Sequence, residues 1–115
     1  MHELAIATSV LQGVLDHAEG RRVTRVQLKI GHLRQVVPSS LQFNWELVTK
    51  GTVADGATLG IESIEAVGAC RECGGKTPQE RFPFRCGQCG SFDLEVIGGD
   101  ELLIDWLEVD DPVTA

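Results

Sequence analysis

The sequence predicts an α+β fold in which a small mixed β-sheet is flanked by two helices and carries an inserted four-cysteine lobe. Three observations support this prediction. Two segments have apolar residues at helical spacing, strand-like alternation lies between and after them, and two matching CxxC units stand near the C-terminal end. A strand–helix–strand order favours a parallel pair joined by a crossover helix.

Length and charge limit the classes of protein to which the chain can belong. Its 115 residues suffice for one compact domain with a small appendage. The net charge of −7, from 10 Lys and Arg against 17 Asp and Glu, argues against broad binding to nucleic acid or to an anionic membrane. No apolar run approaches the roughly 18 residues that span a bilayer, and the start lacks the pattern of a signal peptide. We therefore expect a cytoplasmic protein.

The first two elements are a helix over 3–18 and a strand over 23–31. Apolar residues of the helix recur at steps of three and four and so share one face: Leu4, Ala7, Leu11, Val14, Leu15 and Ala18. Gly20 then offers a stop. In the strand, aliphatic residues from Val26 to Ile30 alternate with polar ones, which predicts one buried and one exposed face.

A second helix and further strands follow. Pro38 is typical of a helix start, and Gly51 of a helix end. The apolar stripe of this helix comprises Leu41, Phe43, Trp45, Leu47 and Val48. The segment 57–67 predicts a strand whose aliphatic residues change phase, which we interpret as a bulge or as burial on both faces. Strand candidates at 92–97 and 101–109 complete the order.

Four cysteines form the strongest motif of the chain. They stand in two units, Cys70-Arg-Glu-Cys73-Gly74 and Cys86-Gly-Gln-Cys89-Gly90, with 12 residues between Cys73 and Cys86. Two thiolates three positions apart reach one metal ion from a tight turn, and two such turns supply the closed tetrahedral shell of a structural zinc. The segment 68–98 is too short for a hydrophobic core of its own. We therefore predict that the inserted lobe is a zinc ribbon.

Other interpretations of the cysteines remain open. A disulfide framework is disfavoured by the reducing compartment that we expect, and redox CxxC motifs usually occur singly. Iron also fits a four-thiolate shell.

The lobe also contains aromatic and basic side chains. Phe82, Phe84 and Phe92 are expected to pack around the cluster. Four basic side chains of the lobe are expected to be solvated, with contact to an acidic partner as the alternative: Arg71, Lys76, Arg81 and Arg85.

The first three residues, Met1, His2 and Glu3, offer a second kind of metal site. The Met1 amine, the His2 backbone nitrogen and the His2 imidazole can chelate one metal ion in linked rings, and the Glu3 amide can add a fourth nitrogen. Such a nitrogen set suits Ni(II) or Cu(II). Without further context a terminus that binds nothing is the commoner interpretation. His17 is interpreted as solvated and His32 as a turn residue.

The two metal motifs together make the chain resemble the HypA/HybF family of hydrogenase nickel maturation factors. The family opens with Met-His-Glu and runs straight into a helix, as here from Met1. Further likenesses are a strand that ends at Gly31, Lys-Gly-Thr at 50–52, Gly-Ala-x-Leu-x-Ile at 56–61, and Gly-x-Glu-Leu-x-Ile at 99–104 before an acidic end. With the paired CxxC units, the resemblance covers nearly the whole chain. It departs at His32, where many members are acidic, and at Gly87, where many have proline.

The resemblance implies a nickel metallochaperone that delivers Ni(II) to the large subunit of [NiFe]-hydrogenase and works with the GTPase of the same pathway. For nickel it implies a site at the N-terminus, where His2 and nearby backbone nitrogens hold the ion and Glu3 influences selectivity. For structural zinc it implies four ligands: Cys70, Cys73, Cys86 and Cys89. Some members of the family also serve urease.

Two functional classes are therefore compared. In the first, 1–67 plus 99–115 form a nickel-binding α/β body, 68–98 form the zinc-binding ribbon, and the chain is a monomer or weak homodimer. The alternative is a zinc-ribbon protein-interaction module without nickel function. Because the sequence has no nucleophile–base pair, phosphate loop or GxSxG motif, we predict no enzymatic activity. Stoichiometric nickel binding in addition to zinc distinguishes the two classes.

Overall fold

The computed structural model describes residues 2–110. Its elements are α1 (His2–Ala18), β1 (Arg22–Gly31), a 3₁₀ turn (His32–Arg34), α2 (Pro38–Thr49), β2 (Thr58–Ile64), β3 (Ala66–Cys70), β4 (Lys76–Gln79), β5 (Leu94–Gly98) and β6 (Leu102–Asp110). The strands form two three-stranded sheets, with the orders β2-β1-β6 and β4-β3-β5. The predicted fold class, two helices with small mixed sheets and a four-cysteine lobe, is confirmed.

The chain divides into two compact units. Among the described residues, the first unit contains 2–29, 36–62 and 103–110, and the second contains 30–35 and 63–102. The first unit holds α1, α2 and most of the β2-β1-β6 sheet. The second holds the β4-β3-β5 sheet and the four cysteines.

The core of the first unit follows the predicted apolar stripes, except that Glu3 is buried in place of Leu4. Buried side chains come from both helices and from β1: Ala7, Val10, Leu11, Val14, Ala18, Val23, Val26, Leu28, Leu41 and Trp45. Leu4, predicted to be in the core, is 51% exposed, whereas Glu3 is only 4% exposed. The prediction is wrong here because the Glu3 carboxylate hydrogen-bonds to the start of α2. Phe43 and Leu47 of α2 are exposed as well, so the α2 stripe is narrower than predicted.

Strands β1 and β2 run parallel, as the strand–helix–strand order predicts. The Arg22 guanidinium donates to the Asp55 carbonyl, just before β2. Gln27 and Gly60 lie five residues after Arg22 and Asp55, and a Cβ at Gly60 would overlap the Gln27 side chain. Residue numbers that rise together along two neighbours are the mark of a parallel pair.

Strands β1 and β6 run in opposite directions. The Gly31 N–H donates to the Glu101 carbonyl at 2.8 Å, and the Thr24 hydroxyl donates to the Glu108 carbonyl at 3.3 Å. Residue numbers rise on one strand while they fall on the other, which is the mark of an antiparallel pair. The β2-β1-β6 sheet is therefore mixed.

The second unit is built on a separate antiparallel sheet. Strand β3 pairs with β4 on one side and with β5 on the other, with a register shift between Val67 and Gly68. The predicted continuous strand over 57–67 is wrong, because the chain leaves its strand at Glu65 and passes from one sheet to the other. The change of phase marks this exchange of sheets rather than a bulge within one strand. Strand β4 was not predicted, since it has four residues and contains Pro78.

Two glycines allow backbone segments of the second unit to approach closely. A Cβ at Gly31 would overlap the Gly99 carbonyl, and a Cβ at Gly99 would lie 2.5 Å from Ala66 Cα. Gly99 has a φ of +106°, a backbone conformation that disfavours other residues. The Gly99 carbonyl also accepts the Leu33 N–H at 2.7 Å, which holds the 3₁₀ turn against this close approach of Gly31, Ala66 and Gly99, called the strand crossing below.

Candidate metal centres

The two CxxC units fold into the same turn. In each, the glycine after the second cysteine donates its N–H to the carbonyl of the first cysteine at 3.0 Å, from Gly74 to Cys70 and from Gly90 to Cys86. Both glycines have positive φ, +76° and +79°. A side chain at these positions would be strained, so the glycines that follow the motifs allow the turns to form.

The turns bring all four cysteine sulfurs together. Every pair of Sγ atoms lies within 4.8 Å, and two pairs are closer, Cys70–Cys89 at 3.5 Å and Cys73–Cys86 at 3.6 Å. Sulfurs bound to one tetrahedral zinc at about 2.3 Å lie about 3.8 Å apart, so the cluster fits this ion. None of the four forms a disulfide, and the disulfide interpretation therefore has no support in the structure.

Backbone N–H groups point at the sulfurs and favour the thiolate form. The pKa of Cys86 is lowered to about 6, first by the Cys89 N–H and then by the Gln88 N–H, each 3.4 Å from the sulfur. The pKa of Cys70 is lowered mainly by the Cys73 N–H. Thiolates are the form of cysteine that binds metal ions. The donor set and its hydrogen bonds therefore fit a four-thiolate zinc site.

One sulfur of each close pair holds its proton more tightly. The Ser91 N–H lowers the pKa of Cys89, but hydrogen bonding to Cys70 and burial outweigh it, and this pKa rises to about 12. Four neighbouring thiolates repel one another, so the cluster retains protons unless a cation compensates the charge. A divalent metal ion supplies that compensation when it binds.

Gln79, which the sequence analysis missed, tethers the second turn. Its side chain is buried, and it exchanges two hydrogen bonds of 2.8 Å with the Arg85 backbone, one to the carbonyl and one from the N–H. The Thr77 hydroxyl on the same strand accepts the Gly87 N–H at 3.1 Å. A lone glutamine carries no sequence signal of this kind, because its role depends on a partner that only the fold brings near.

The aromatic and basic residues of the lobe are arranged differently from the prediction. Phe82 and Phe92 are largely exposed, so the prediction that they pack around the cluster is wrong. Phe82 stacks on Phe84 with ring centroids 4.2 Å apart, and the Arg85 guanidinium lies 5.3 Å from the Phe92 ring. With two of the three rings exposed, the lobe has little apolar packing around the sulfurs, and we expect its order to depend on a bound metal ion.

His32 and His17 lie outside the cysteine cluster. His32 is exposed in the 3₁₀ turn and lines a cavity of about 170 Å³ with Phe82 and Phe84. His17 is exposed near the end of α1, and its Nδ1 lies 2.7 Å from the Gly13 carbonyl.

The described part of the N-terminal motif comprises His2 and Glu3. His2 is the first residue of α1, its side chain is 49% exposed, and its Nε2 lies 3.3 Å from Glu3 Oε2. Met1, which the sequence analysis predicts to supply an amine ligand, lies outside the described residues. Two residues of the predicted nickel site, His2 and Glu3, are therefore in contact through their side chains.

The Glu3 carboxylate also closes the start of α2. Its Oε2 accepts the Val37 N–H at 3.2 Å, and its Oε1 lies 3.5 Å from the Ser40 hydroxyl. The N-cap residue Val37 has no side chain able to cap the helix, so Glu3 provides the negative charge that a helix N-terminus favours. The pKa of Glu3 is lowered to about 2, first by the positive amino terminus and then by the Val37 N–H. Glu3 is therefore an ionised, nearly buried carboxylate.

The chain is similar to known proteins along nearly its whole length. Residues 1–109 match the family described as hydrogenase/urease nickel incorporation, metallochaperone, hypA. The hydrogenase maturation factor HypA of Geobacter sp. (strain M21) is 43% identical over 110 residues, which are 96% of this chain and 100% of the relative. That of Nostoc punctiforme is 40% identical over 111 residues, 96% of this chain and 97% of the relative.

The fold has relatives of known structure. The solution structure of the Ni metallochaperone HypA from Helicobacter pylori superposes with a TM-score of 0.67 at 20% identity, covering 95% of this chain and 97% of the other. A second HypA solution structure gives 0.68 at 22% identity, covering 95% and 96%. Within residues 2–110, none of the helices has both the length and the apolar character needed to cross a membrane.

Proposed function

Since the chain belongs to the HypA family of hydrogenase and urease nickel-incorporation metallochaperones, we propose that it binds Ni(II) at its N-terminus and delivers the ion to the large subunit of [NiFe]-hydrogenase. The observation that carries the N-terminal site is the contact between the His2 imidazole and the Glu3 carboxylate. Nickel is the cargo of this site rather than a resident cofactor.

The contact with the Glu3 carboxylate suits His2 for metal binding. A neutral ring with its proton on Nε2, the nitrogen that faces the carboxylate, has its lone pair on Nδ1, which is the nitrogen that closes a six-membered chelate ring with the His2 amide nitrogen. Metal-binding histidines commonly donate their other ring N–H to a carboxylate, which fixes the ring orientation and raises its basicity. The N–H groups in the first turn of a helix have no carbonyl partner within that helix, so the His2 amide can bind the ion without breaking a helical hydrogen bond.

Glu3 is proposed to orient the site rather than to bind the ion. Its Oε2 already accepts the Val37 N–H and contacts the His2 imidazole, and its Oε1 lies within 3.5 Å of the Ser40 hydroxyl. Moving the carboxylate to a metal ion would leave the start of α2 without its negative charge. The predicted ligand set is therefore refined, with Met1 and His2 as ligands and Glu3 contributing its amide nitrogen.

The four cysteines Cys70, Cys73, Cys86 and Cys89 are proposed to hold a structural zinc. Their sulfurs match the spacing of a tetrahedral shell, and a filled shell of four thiolates leaves no open position for chemistry. On this basis 68–98 is the zinc ribbon, and 1–67 with 99–115 is the nickel-binding body. The GTPase of the nickel pathway, in the cytoplasm, is the proposed partner in delivery.

The test is a calorimetric titration of nickel into three zinc-loaded proteins: the untagged chain, the chain with one glycine added before Met1, and His2→Ala. We expect tight binding in the first only, because the added residue converts the Met1 amine into an amide and the substitution removes the imidazole. His17→Ala is the matched control and should bind like the untagged chain. Equal tight binding in all the proteins would place the nickel site elsewhere.

The same titration separates the proposal from the alternative of a zinc-ribbon interaction module. Such a module would retain zinc and show no stoichiometric nickel binding. The His2–Glu3 contact favours the chaperone, since an inert N-terminus has no need of an imidazole held by a buried carboxylate.

A further inference from the structure

The two edge strands of the β2-β1-β6 sheet differ in how far other parts of the protein cover them. Side chains of α2 cover the β2 edge, where the Gln42 amide donates to the Leu59 carbonyl at 2.7 Å and the Trp45 indole donates to the Ala57 carbonyl at 3.0 Å. These two carbonyls, at and just before the start of β2, are therefore bonded within the protein. Covering of this kind prevents another strand from pairing there.

The β6 edge has no such cover in the part of the chain that the structure describes. Within residues 2–110, β1 is the only strand neighbour of β6. Two large apolar side chains of β6 are substantially exposed, Leu103 at 53% and Trp106 at 42%. A long exposed edge with apolar residues is a template for an added strand, and proteins that do not use such an edge usually blunt it with lysine, proline or a covering element.

The β6 edge is acidic. Asp105, Glu108 and Asp110 lie along the strand, and no Lys or Arg occurs after Arg85 in the sequence. Lys29 of the neighbouring strand reaches only Asp105, at 3.9 Å. A second copy of the same strand would bring like charges together, whereas a basic segment would be attracted.

A pocket beside β6 offers a place for one side chain of an added strand. Its volume is about 310 Å³, and its lining consists of His17 from α1 and four consecutive residues of β6: Ile104, Asp105, Trp106 and Leu107. The Arg25 guanidinium of β1 already lies 5.6 Å from the Trp106 ring centroid, and the exposed remainder of that ring can contact the aliphatic part of an added lysine or arginine. Pockets for alternate side chains give specificity when an extended peptide joins a sheet edge.

We propose that the β6 edge binds an extended segment of a partner protein as an added strand, and that this segment alternates apolar with basic residues. Main-chain hydrogen bonds supply the pairing, and the acidic residues of β6 select the charge. The proposal does not depend on the nickel site, because none of its residues belongs to the N-terminal motif.

The register of β6 shows which amides should respond. The Glu101 carbonyl accepts the Gly31 N–H, so the backbone groups of residue 101 face β1. Backbone groups alternate in direction along a strand, and those of Leu102 and Ile104 therefore face the open edge, whereas those of Leu103 face β1.

The experiment titrates a synthetic nine-residue peptide of alternating valine and lysine, capped at both ends, into the zinc-loaded full chain without nickel. Amide hydrogen exchange is followed by NMR. With the peptide at about ten times its dissociation constant, exchange at Leu102 and Ile104 should slow about tenfold, and exchange at Leu103 should not change. Peptides with glutamate for lysine, or with every backbone amide methylated, should not bind.

Protein variants test the charge selection. Glu108→Gln combined with Asp110→Asn should weaken peptide binding about fivefold, because these two residues are two positions apart on β6, share one face of the strand and can both pair with lysines of the peptide. The matched control, Glu46→Gln with Glu62→Gln, removes two exposed charges elsewhere and should bind normally.

Several outcomes would overturn the proposal. They are the absence of saturable binding up to about 1 mM peptide, binding without protection of Leu102 and Ile104, and equal binding of the methylated peptide. Concentration-dependent dimerisation that protects the same two amides would assign the edge to a second copy instead.

Discussion

The Glu3 carboxylate accepts the backbone N–H of Val37 at 3.2 Å, so the first turn of α1 closes the start of α2. The same carboxylate lies 3.3 Å from the His2 imidazole. One side chain thus joins the packing of two helices to the orientation of a predicted nickel ligand. A change at Glu3 should alter both.

The stability contributed by Glu3 should depend on pH. The pKa of Glu3 falls from 4.5 to about 2, so the carboxylate stabilises the folded state fully above pH 4.5, and this stabilisation is lost as the pH falls towards 2. Glu3→Gln should therefore be less stable than the natural chain at neutral pH, and the difference should shrink between pH 4.5 and 2. Urea unfolding followed by tryptophan fluorescence measures it. Glu62→Gln, an exposed carboxylate on β2, is the control, and a difference for Glu3→Gln that does not change with pH would contradict the assigned role.

Removal of one sulfur should release the zinc without unfolding the first unit. The natural chain should bind about one zinc ion, and Cys73→Ser should lose it and disorder the second unit, whose fold depends on the metal. Both tryptophans, Trp45 and Trp106, lie in the first unit, so their fluorescence should remain native. Metal analysis with NMR of the lobe makes the measurement. Gln88→Ser, in the other turn, should keep the zinc, and an ordered metal-free lobe in Cys73→Ser would refute the assignment.

Loss of the Gln79 tether should speed zinc release. Gln79→Ala leaves the Arg85 N–H and carbonyl without their buried partner, which costs about 1–3 kcal/mol. If most of this cost falls on the second turn, the rate of zinc transfer to a fixed concentration of chelator should rise about tenfold. Transfer of the metal to a chromophoric chelator reports the rate. The neighbouring exposed residue provides the comparison, since Glu80→Ala should leave the rate unchanged.

Adjacent glycines at the strand crossing should differ sharply in their tolerance of a methyl group. Gly99→Ala would place its Cβ 2.5 Å from Ala66 Cα at a φ of +106°, and should cost about 2 kcal/mol or more. Gly98→Ala meets nothing closer than 3.7 Å and should change stability by less than about 0.5 kcal/mol. Thermal unfolding of the two variants compares them directly, and similar losses would show that the crossing can relax.

The sequence patterns predicted the helices, β1 and the cysteine cluster well because each depends on local periodicity or spacing. The exchange of sheets at Glu65 could not be seen, since strands in two different sheets share the same local pattern as one bulged strand. The burial of Glu3 in place of Leu4 had no local signal either. It depends on α2 lacking a capping side chain at Val37, and on α1 lying close enough to supply one.

The nickel ligands are predicted from the sequence only in part. The adjacent Met1 and His2 indicate chelation, but the contact between the imidazole and Glu3 depends on a carboxylate that is hydrogen-bonded to a second helix. Gln79 illustrates the same limit for the zinc lobe, because its partner Arg85 is brought into reach only by the turn that follows β4.

The four sulfurs are not equally accessible, since Cys70 and Cys86 are buried whereas Cys73 and Cys89 are exposed. Each turn therefore contributes one inner and one outer candidate ligand. An incoming chelator or thiol reaches the outer pair first, and the metal would then pass through an intermediate still held by the inner pair. We expect exchange of the ion to be associative, with a rate that rises with the concentration of the competing ligand rather than one set by spontaneous dissociation.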